Sequence, residues 1–200
     1  MIKLWAEELS LHLVTNKIIT IDKRKYYIYG IELLLNDLLI FLTIAAIAMM
    51  TKTVLISILF AGCFCVLRAF AGGYHCKSYR CCFQITLFNY SLLLLLHFIL
   101  TDWKLIVGVI IIILSIPVIW LFSPVESVNN PLEEKERIKY KSISRVLTVI
   151  LFILFTISAA FRKNEIAFVI AWSVFATAFL MLLPIINEKR RRMANEETRT

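Results

Sequence analysis

Residues 105–125 read LIVGVIIIILSIPVIWLFSPV, a run without a single charged side chain. An α-helix rises 1.5 Å per residue, so roughly 20 apolar residues are needed to cross the hydrocarbon core of a bilayer. Membrane-spanning strands are shorter, about 9–11 residues, and alternate in polarity, whereas this run is apolar on every face. The stretch therefore predicts a transmembrane α-helix.

Five other uncharged runs accompany it in the chain. They cover residues 38–51, 53–67, 81–101, 146–161 and 166–187. The shorter runs must borrow flanking residues, and a charged side chain such as Arg68 then reaches back to the lipid headgroups. The resulting spans are expected at about 28–50, 53–70, 83–101, 104–122, 143–161 and 166–186. The predicted fold class is an all-α integral membrane protein with six transmembrane helices.

The composition of the whole chain agrees with this class. Apolar residues make up 60% and charged residues 18% of the 200 residues. A soluble domain contains roughly 45–50% apolar residues and about 25% charged residues. A soluble domain of this size cannot hide so much hydrocarbon, because its surface is large relative to its volume. The same composition excludes a disordered chain and a disulfide-stapled secreted module.

The two ends of the chain are predicted to lie at the membrane surface. Residues 1–27 lack the unbroken apolar core of a cleavable signal peptide and are predicted to include an amphipathic interfacial helix. One side of that helix would carry Ile2, Trp5, Ala6, Leu9 and Leu13, and another side Lys3, Glu7, Ser10 and Lys17. Residues 187–200 are expected to form a basic tail. All 200 residues are predicted to form one multi-pass membrane domain.

The distribution of lysine and arginine predicts the orientation. Counted over alternate segments between the spans, 18 of these residues fall on one side of the membrane and 4 on the other. Since lysine and arginine are retained on the cytoplasmic side, both termini and the segment between the second and third spans are predicted to be cytoplasmic.

Reactive side chains concentrate between the second and third spans, where residues 68–82 read RAFAGGYHCKSYRCC. A cysteine attacks as its thiolate, which a histidine, nearby positive charge or a helix N-terminus can favour. His75 is a candidate base for Cys82, and Lys77 and Arg80 add positive charge. On one straight helix Cys82, seven positions after His75, would lie roughly 10 Å further along the axis, too far for a hydrogen bond. A working pair therefore requires a bent or re-entrant segment, for which Gly72 and Gly73 supply backbone freedom.

Other interpretations of this segment remain open on the residues alone. The cysteines could be unreactive, or His75, Cys76, Cys81 and Cys82 could hold a metal ion, although adjacent cysteines suit a tetrahedral site poorly. A disulfide is disfavoured on a reducing face of the membrane. We expect neither a metal nor another cofactor.

The pattern Arg68-x3-Gly72-Gly73-x-His75-x6-Cys82 resembles the signature of the accessory gene regulator B (AgrB) family, bacterial membrane endopeptidases that process quorum-sensing propeptides. A second stretch agrees with this resemblance: Pro124-Val125-Glu126, followed by Asn129-Asn130-Pro131-Leu132. The spacing of the family falls on Cys82 and leaves Cys81 and Cys76 as bystanders. The resemblance covers nearly the whole chain and implies a location in the bacterial cell membrane.

The resemblance also implies a substrate and a reaction. The substrate would be a short propeptide similar to AgrD, with an acidic C-terminal tail. Cys82 would attack the bond to that tail, with His75 as general base and then general acid, leaving a thioester on the enzyme. A cysteine or serine of the substrate would then release a cyclic thiolactone or lactone.

Several residues are expected to support this chemistry. Arg68, Gly72 and Gly73 belong to the motif, and Glu32 and Asn36 are polar residues within or beside the first span, where such residues are costly and usually paired or functional. Arg68 could pair with Glu32 or Asp37, although holding helices together explains these residues equally well. A homodimer and contacts with membrane lipids are expected, and no nucleic acid.

Two other functions are compatible with parts of the sequence. The first is a small membrane transporter without covalent chemistry, in which Glu32, Asp37 and Arg68 would line a polar path. Six spans without an evident repeat disfavour it. The second is an acylated membrane enzyme or acyltransferase, because cysteines near a membrane face are common lipidation sites.

Overall fold

A computed structural model describes residues 2–72, 79–125 and 133–197 of the chain. The helices are α1 (Ile2–Thr15), α2 (Arg24–Thr51), α3 (Val54–Ala71), α4 (Tyr79–Ile99), α5 (Lys104–Phe122), α6 (Glu134–Ala160) and α7 (Asn164–Glu197), with a short 3-10 helix at Ile21–Lys23. Within the described residues, the six helices α2 to α7 are long and apolar enough to cross a membrane. The predicted all-α, six-helix membrane fold class is confirmed.

The helices extend beyond the apolar runs that predicted them. α4 begins at Tyr79, ahead of the span expected from about residue 83. α6 begins at Glu134, well before the span expected from about residue 143, and a capping box between Glu133 and Glu136 closes its N-terminus. Such a cap satisfies backbone N–H groups that the first turn leaves without partners. Hydropathy marks where the hydrocarbon begins, whereas capping determines where a helix begins.

The contacts divide the chain into two units, of which the first comprises residues 1–52 and 76–88. In this unit α1 packs on α2, and the fully buried side chains on α1 are Ala6 and Ser10. Arg24 at the start of α2 donates hydrogen bonds to the Ser10 Oγ and to the Glu7 carbonyl oxygen, both at 3.3 Å. Small side chains let the two helices approach closely.

This packing corrects the position expected for Ser10. The amphipathic pattern predicts Ser10 on a polar side of α1, but its side chain is buried in the contact with α2. The small side chains of Ala6 and Ser10 explain why this side of α1 faces α2, since they let the helices approach closely. Arg24 donates a hydrogen bond to the Ser10 hydroxyl, so that buried group has a partner. α1 ends at Thr15, so it occupies about the first half of the segment expected to be interfacial.

The second unit, residues 53–75 and 89–200, is built around α7. Helices α3, α5 and α6 all pack on α7, and its buried residues lie on every side of the helix, from Ala167 to Met181. Gly108 of α5 lies at this contact, where an added Cβ would be in van der Waals contact with the Phe155 ring at 3.4 Å and with the Ala171 Cβ at 3.7 Å. The later part of α4 joins through the Trp172 Nε1, which donates to the Asn89 Oδ1 at 2.9 Å.

Candidate active site

The first motif begins on the last turns of α3. The Arg68 guanidinium lies over the Phe64 ring, 5.5 Å from its centroid, and the Arg68 carbonyl accepts a hydrogen bond from the Gly72 N–H at 3.0 Å. The Phe70 ring packs edge-on against Tyr140 of α6, with centroids 5.7 Å apart. The C-terminal end of α3 is therefore fixed on both sides of Arg68.

Gly72 ends α3 in a conformation that requires glycine. Its φ is +74°, in a region that residues with a Cβ rarely adopt. The backbone at Gly72 forms a parallel bridge with Val125, and the Val125 N–H donates to the Ala71 carbonyl at 3.0 Å. A Cβ on Gly72 would lie 2.2 Å from the Val125 carbonyl oxygen. Sequence reasoning assigned Gly72 a role in flexibility, and the structure shows that it also permits close contact between two chain segments.

This bridge joins the two stretches of the family signature. Gly72 belongs to the first stretch and Val125 to the second, although 52 residues lie between them. The sequence signal that could have predicted the contact is topological, because α3 and α5 end on the same side of the membrane if every span crosses it. Only the structure shows that their ends are joined by backbone hydrogen bonding.

Sequence reasoning also missed the buried hydroxyl contact that holds the end of α5. Ser123 and Ser144 of α6 share a hydrogen bond of 2.5 Å, and the Ser144 carbonyl accepts another from the Thr148 hydroxyl at 2.7 Å. All three side chains are buried. This contact anchors the chain two residues before Val125, so it helps to position the bridge to Gly72.

The second half of the first motif lies on α4. Cys82 is in the first turn of the helix, is partly buried and carries a reduced thiol. Cys81, its neighbour, is disulfide-bonded. The expectation that this segment would hold no disulfide is wrong for Cys81: that argument considered only the redox state of the compartment, whereas bridging depends on the path of the chain. The structure thus distinguishes two adjacent cysteines that composition cannot separate.

Gly73 and His75 lie outside the described residues, as does Cys76. The bend predicted between His75 and Cys82 therefore stays a prediction, and so does their pairing. Among the described residues, no three histidine, cysteine or acidic side chains are grouped so that they could hold a metal ion. Of the four ligands considered for a metal, only Cys81 and Cys82 are described.

α2, in the same unit as Cys82, carries two buried polar side chains. Glu32 and Asn36 are one turn apart on the buried face of the helix, which continues through Ile40, Ile44 and Ala48. Asn36 is 1% exposed, and its Nδ2 has no hydrogen-bond partner within the described part of the chain. A buried donor left without a partner costs about 1–3 kcal/mol. Such a group requires an explanation.

Comparisons with known proteins agree with the motif. A family model described as accessory gene regulator B matches residues 5–182. An AgrB-like protein from Clostridium beijerinckii is 28% identical over 159 residues, which cover 77% of this chain and 78% of that protein. No solved structure matches.

Proposed function

Because this chain belongs to the accessory gene regulator B family, we propose that it is a membrane cysteine endopeptidase that removes the C-terminal tail of an AgrD-like propeptide. Membership of the family gives the protein a role in the accessory gene regulator system of quorum sensing. The observation that carries the proposed chemistry is the state of Cys82, a reduced and partly buried thiol in the first turn of α4.

The position of Cys82 suits a nucleophile. Backbone N–H groups in the first turn of a helix have no intrahelical acceptor, and the helix dipole favours negative charge there. The thiolate is the form of cysteine that attacks a carbonyl. Cys81 is engaged in a disulfide and has no thiol to ionise. This difference supports Cys82 as the nucleophile at the spacing of the family motif.

The proposed reaction has two steps. The Cys82 Sγ forms a bond to the carbonyl carbon at the junction with the tail, and His75 accepts the thiol proton. The C–N bond then breaks, His75 returns the proton to the leaving amine, and a thioester remains. In the second step a thiol or hydroxyl within the substrate attacks this thioester, which closes a thiolactone or lactone ring and restores the Cys82 thiol. Exclusion of water favours cyclisation over hydrolysis.

Asn36 and Glu32 are proposed as positioning residues for the substrate. The Asn36 Nδ2 is a buried donor that a carbonyl of the propeptide would satisfy. Arg68, Gly72 and Gly73 are proposed to hold the segment that carries His75. The anchoring of the α3 end through Phe70 and Val125 supports this role for Gly72.

The orientation proposed for the chain places both termini and the reacting cysteine on the cytoplasmic side. The bias of 18 to 4 in lysine and arginine supports it. The same basic side chains would attract the acidic tail of the propeptide. We also propose that the chain can form a homodimer.

Co-expression with the propeptide gene from the same genomic neighbourhood tests the proposal. Cys82→Ala should lower release of the tail by at least about a thousandfold, since removing a nucleophile abolishes covalent catalysis. Cys63→Ala is the matched control, because Cys63 is a reduced cysteine on α3 outside the motif. His75→Ala should behave like Cys82→Ala. Cleavage that survives in Cys82→Ala would refute the nucleophile, and movement of an intact peptide across the membrane would favour a transporter.

A further inference from the structure

A groove of about 580 Å³ lies along α5 and α6, and none of the residues that line it belongs to the signature motifs. One face of α6 forms most of it, from Ile138 through Lys141 and Arg145 to Ile150, and Trp120 of α5 forms the opposite wall. These α6 residues recur every three or four positions, so they lie on one side of the helix. None of the residues that line the groove takes part in the proposed bond-breaking and ring-closing steps.

The end of the groove nearer the N-terminus of α6 is positively charged. Arg145 is fixed by its contacts with α5: its Nη2 donates to the Trp120 carbonyl at 2.9 Å, and its Cζ lies 4.9 Å from the Trp120 ring centroid. The Arg145 Nε is buried and has no hydrogen-bond partner in the part of the chain that the structure describes. Lys141 lies one turn earlier and is exposed, as is the Ser142 hydroxyl next to it. The Lys141 ammonium, the Arg145 guanidinium and the Ser142 hydroxyl thus line the same end of the groove.

The end of the groove nearer the C-terminus of α6 is apolar. Val146, Val149 and Ile150 line it and remain exposed within the protein. They belong to the part of α6 that lies in the hydrocarbon, since no charged residue follows Arg145 until Arg162. From Lys141 to Ile150 the helix rises roughly 13 Å. The groove therefore runs from charged side chains at the membrane surface down to hydrocarbon-facing side chains.

We propose that this groove binds an anionic phospholipid, with its phosphate between Lys141 and Arg145 and an acyl chain along Val146, Val149 and Ile150. Basic pockets between membrane helices are suited to acidic headgroups, and an arginine held in place loses little freedom on binding phosphate. A tryptophan at the headgroup level completes the site. The apolar half lies at membrane depth, which favours a lipid over a soluble phosphate or an acidic peptide.

The test uses the full-length protein in detergent micelles, with bound lipid counted by native mass spectrometry. The probes are palmitoyl-oleoyl phosphatidylglycerol, the phosphatidylcholine with the same chains, dihexanoyl phosphatidylglycerol and inorganic phosphate. The variants are Lys141→Gln and Arg145→Gln. Lys139→Gln is the matched control, because Lys139 is an exposed lysine on the same helix outside the groove.

We expect long-chain phosphatidylglycerol to bind the wild type and Lys139→Gln equally. Each groove variant should weaken it about fivefold, since one basic side chain near an anionic headgroup contributes about 1 kcal/mol. The short-chain lipid should bind at least tenfold more weakly than the long-chain lipid, because it buries fewer methylene groups. Lys141→Gln keeps the test valid if Arg145→Gln fails to fold, since Lys141 is exposed.

Four results would overturn the proposal. Phosphatidylcholine could bind as tightly as phosphatidylglycerol, or Lys139→Gln could weaken binding as much as Lys141→Gln. Displacement of the lipid by millimolar inorganic phosphate would show that the groove recognises phosphate alone. A hexaglutamate peptide is added as a fifth probe, and displacement of the lipid by this peptide at equal concentration would show that the groove is a peptide site.

Discussion

The backbones of Gly72 and Val125 approach so closely that a single added methyl group on Gly72 would meet the Val125 carbonyl oxygen at 2.2 Å. The contact joins the C-terminal ends of α3 and α5 at the point where the chain leaves α3 toward His75. Within a membrane, backbone hydrogen bonding outside helices is unusual, and it is tolerated where the backbone is enclosed by protein. We infer that this contact holds the start of the segment that carries His75.

Gly72→Ala is expected to disrupt the bridge, because the new Cβ collides with Val125 and the positive φ disfavours alanine. Each effect should cost about 1–3 kcal/mol in unfolding free energy, and the variant should release less of the propeptide tail. Thermal unfolding in detergent and the co-expression assay measure these effects. Gly62→Ala is the control on the same helix, since no atom lies within 4 Å of its added Cβ, and it should be neutral or stabilising. Equal behaviour of the two variants would contradict the bridge.

Asn36 offers a prediction that separates function from stability. Asn36→Leu removes a buried donor without a partner and should leave the thermal midpoint unchanged or higher, since leaving such a donor buried costs about 1–3 kcal/mol. If Asn36 positions the substrate, the same variant should lower processing of the propeptide, mainly through KM. A variant that loses stability and activity in parallel would instead indicate a purely structural role.

The hydrogen bond between Ser57 and Tyr90 should contribute measurably to the second unit. Both side chains are buried, and their oxygens are 2.6 Å apart. Tyr90→Phe should lower the unfolding free energy by about 0.5–2 kcal/mol, because interhelical hydrogen bonds in membranes are modest. Tyr26→Phe is the control, since Tyr26 is exposed. A double-mutant cycle with Ser57→Ala should give a coupling of similar size, and a coupling of zero would contradict the bond.

The packing of α1 predicts an asymmetry between two leucine substitutions. Ser10→Leu adds volume to the buried contact with α2 and removes the acceptor for Arg24, so it should destabilise by about 1–3 kcal/mol. Glu8→Leu places the same side chain on the exposed side of α1 and should be tolerated. Thermal unfolding of both variants in detergent measures the difference. A greater loss for Glu8→Leu would favour the faces expected from amphipathicity.

The sequence alone predicted the parts of this protein that depend on local composition. Six apolar runs are long enough to cross a bilayer, so the number of membrane helices followed from the chain itself, and the motif from Arg68 to Cys82 was visible as spacing. The charge bias predicts an orientation for the same reason, because the preference of lysine and arginine for the cytoplasmic side does not depend on how the helices pack.

Only the tertiary structure decided which helix is central to the second unit. The apolar window of α7 is 72% buried and that of α5 is 22% buried, although both are apolar enough to span. Hydropathy cannot separate them, because lipid chains and a protein interior are equally apolar solvents for a side chain. The same limit applies to Ser10, to the different states of Cys81 and Cys82, and to the bridge from Gly72 to Val125. Each of these features depends on which distant segment of the chain packs beside the residue, and local composition does not predict that neighbour.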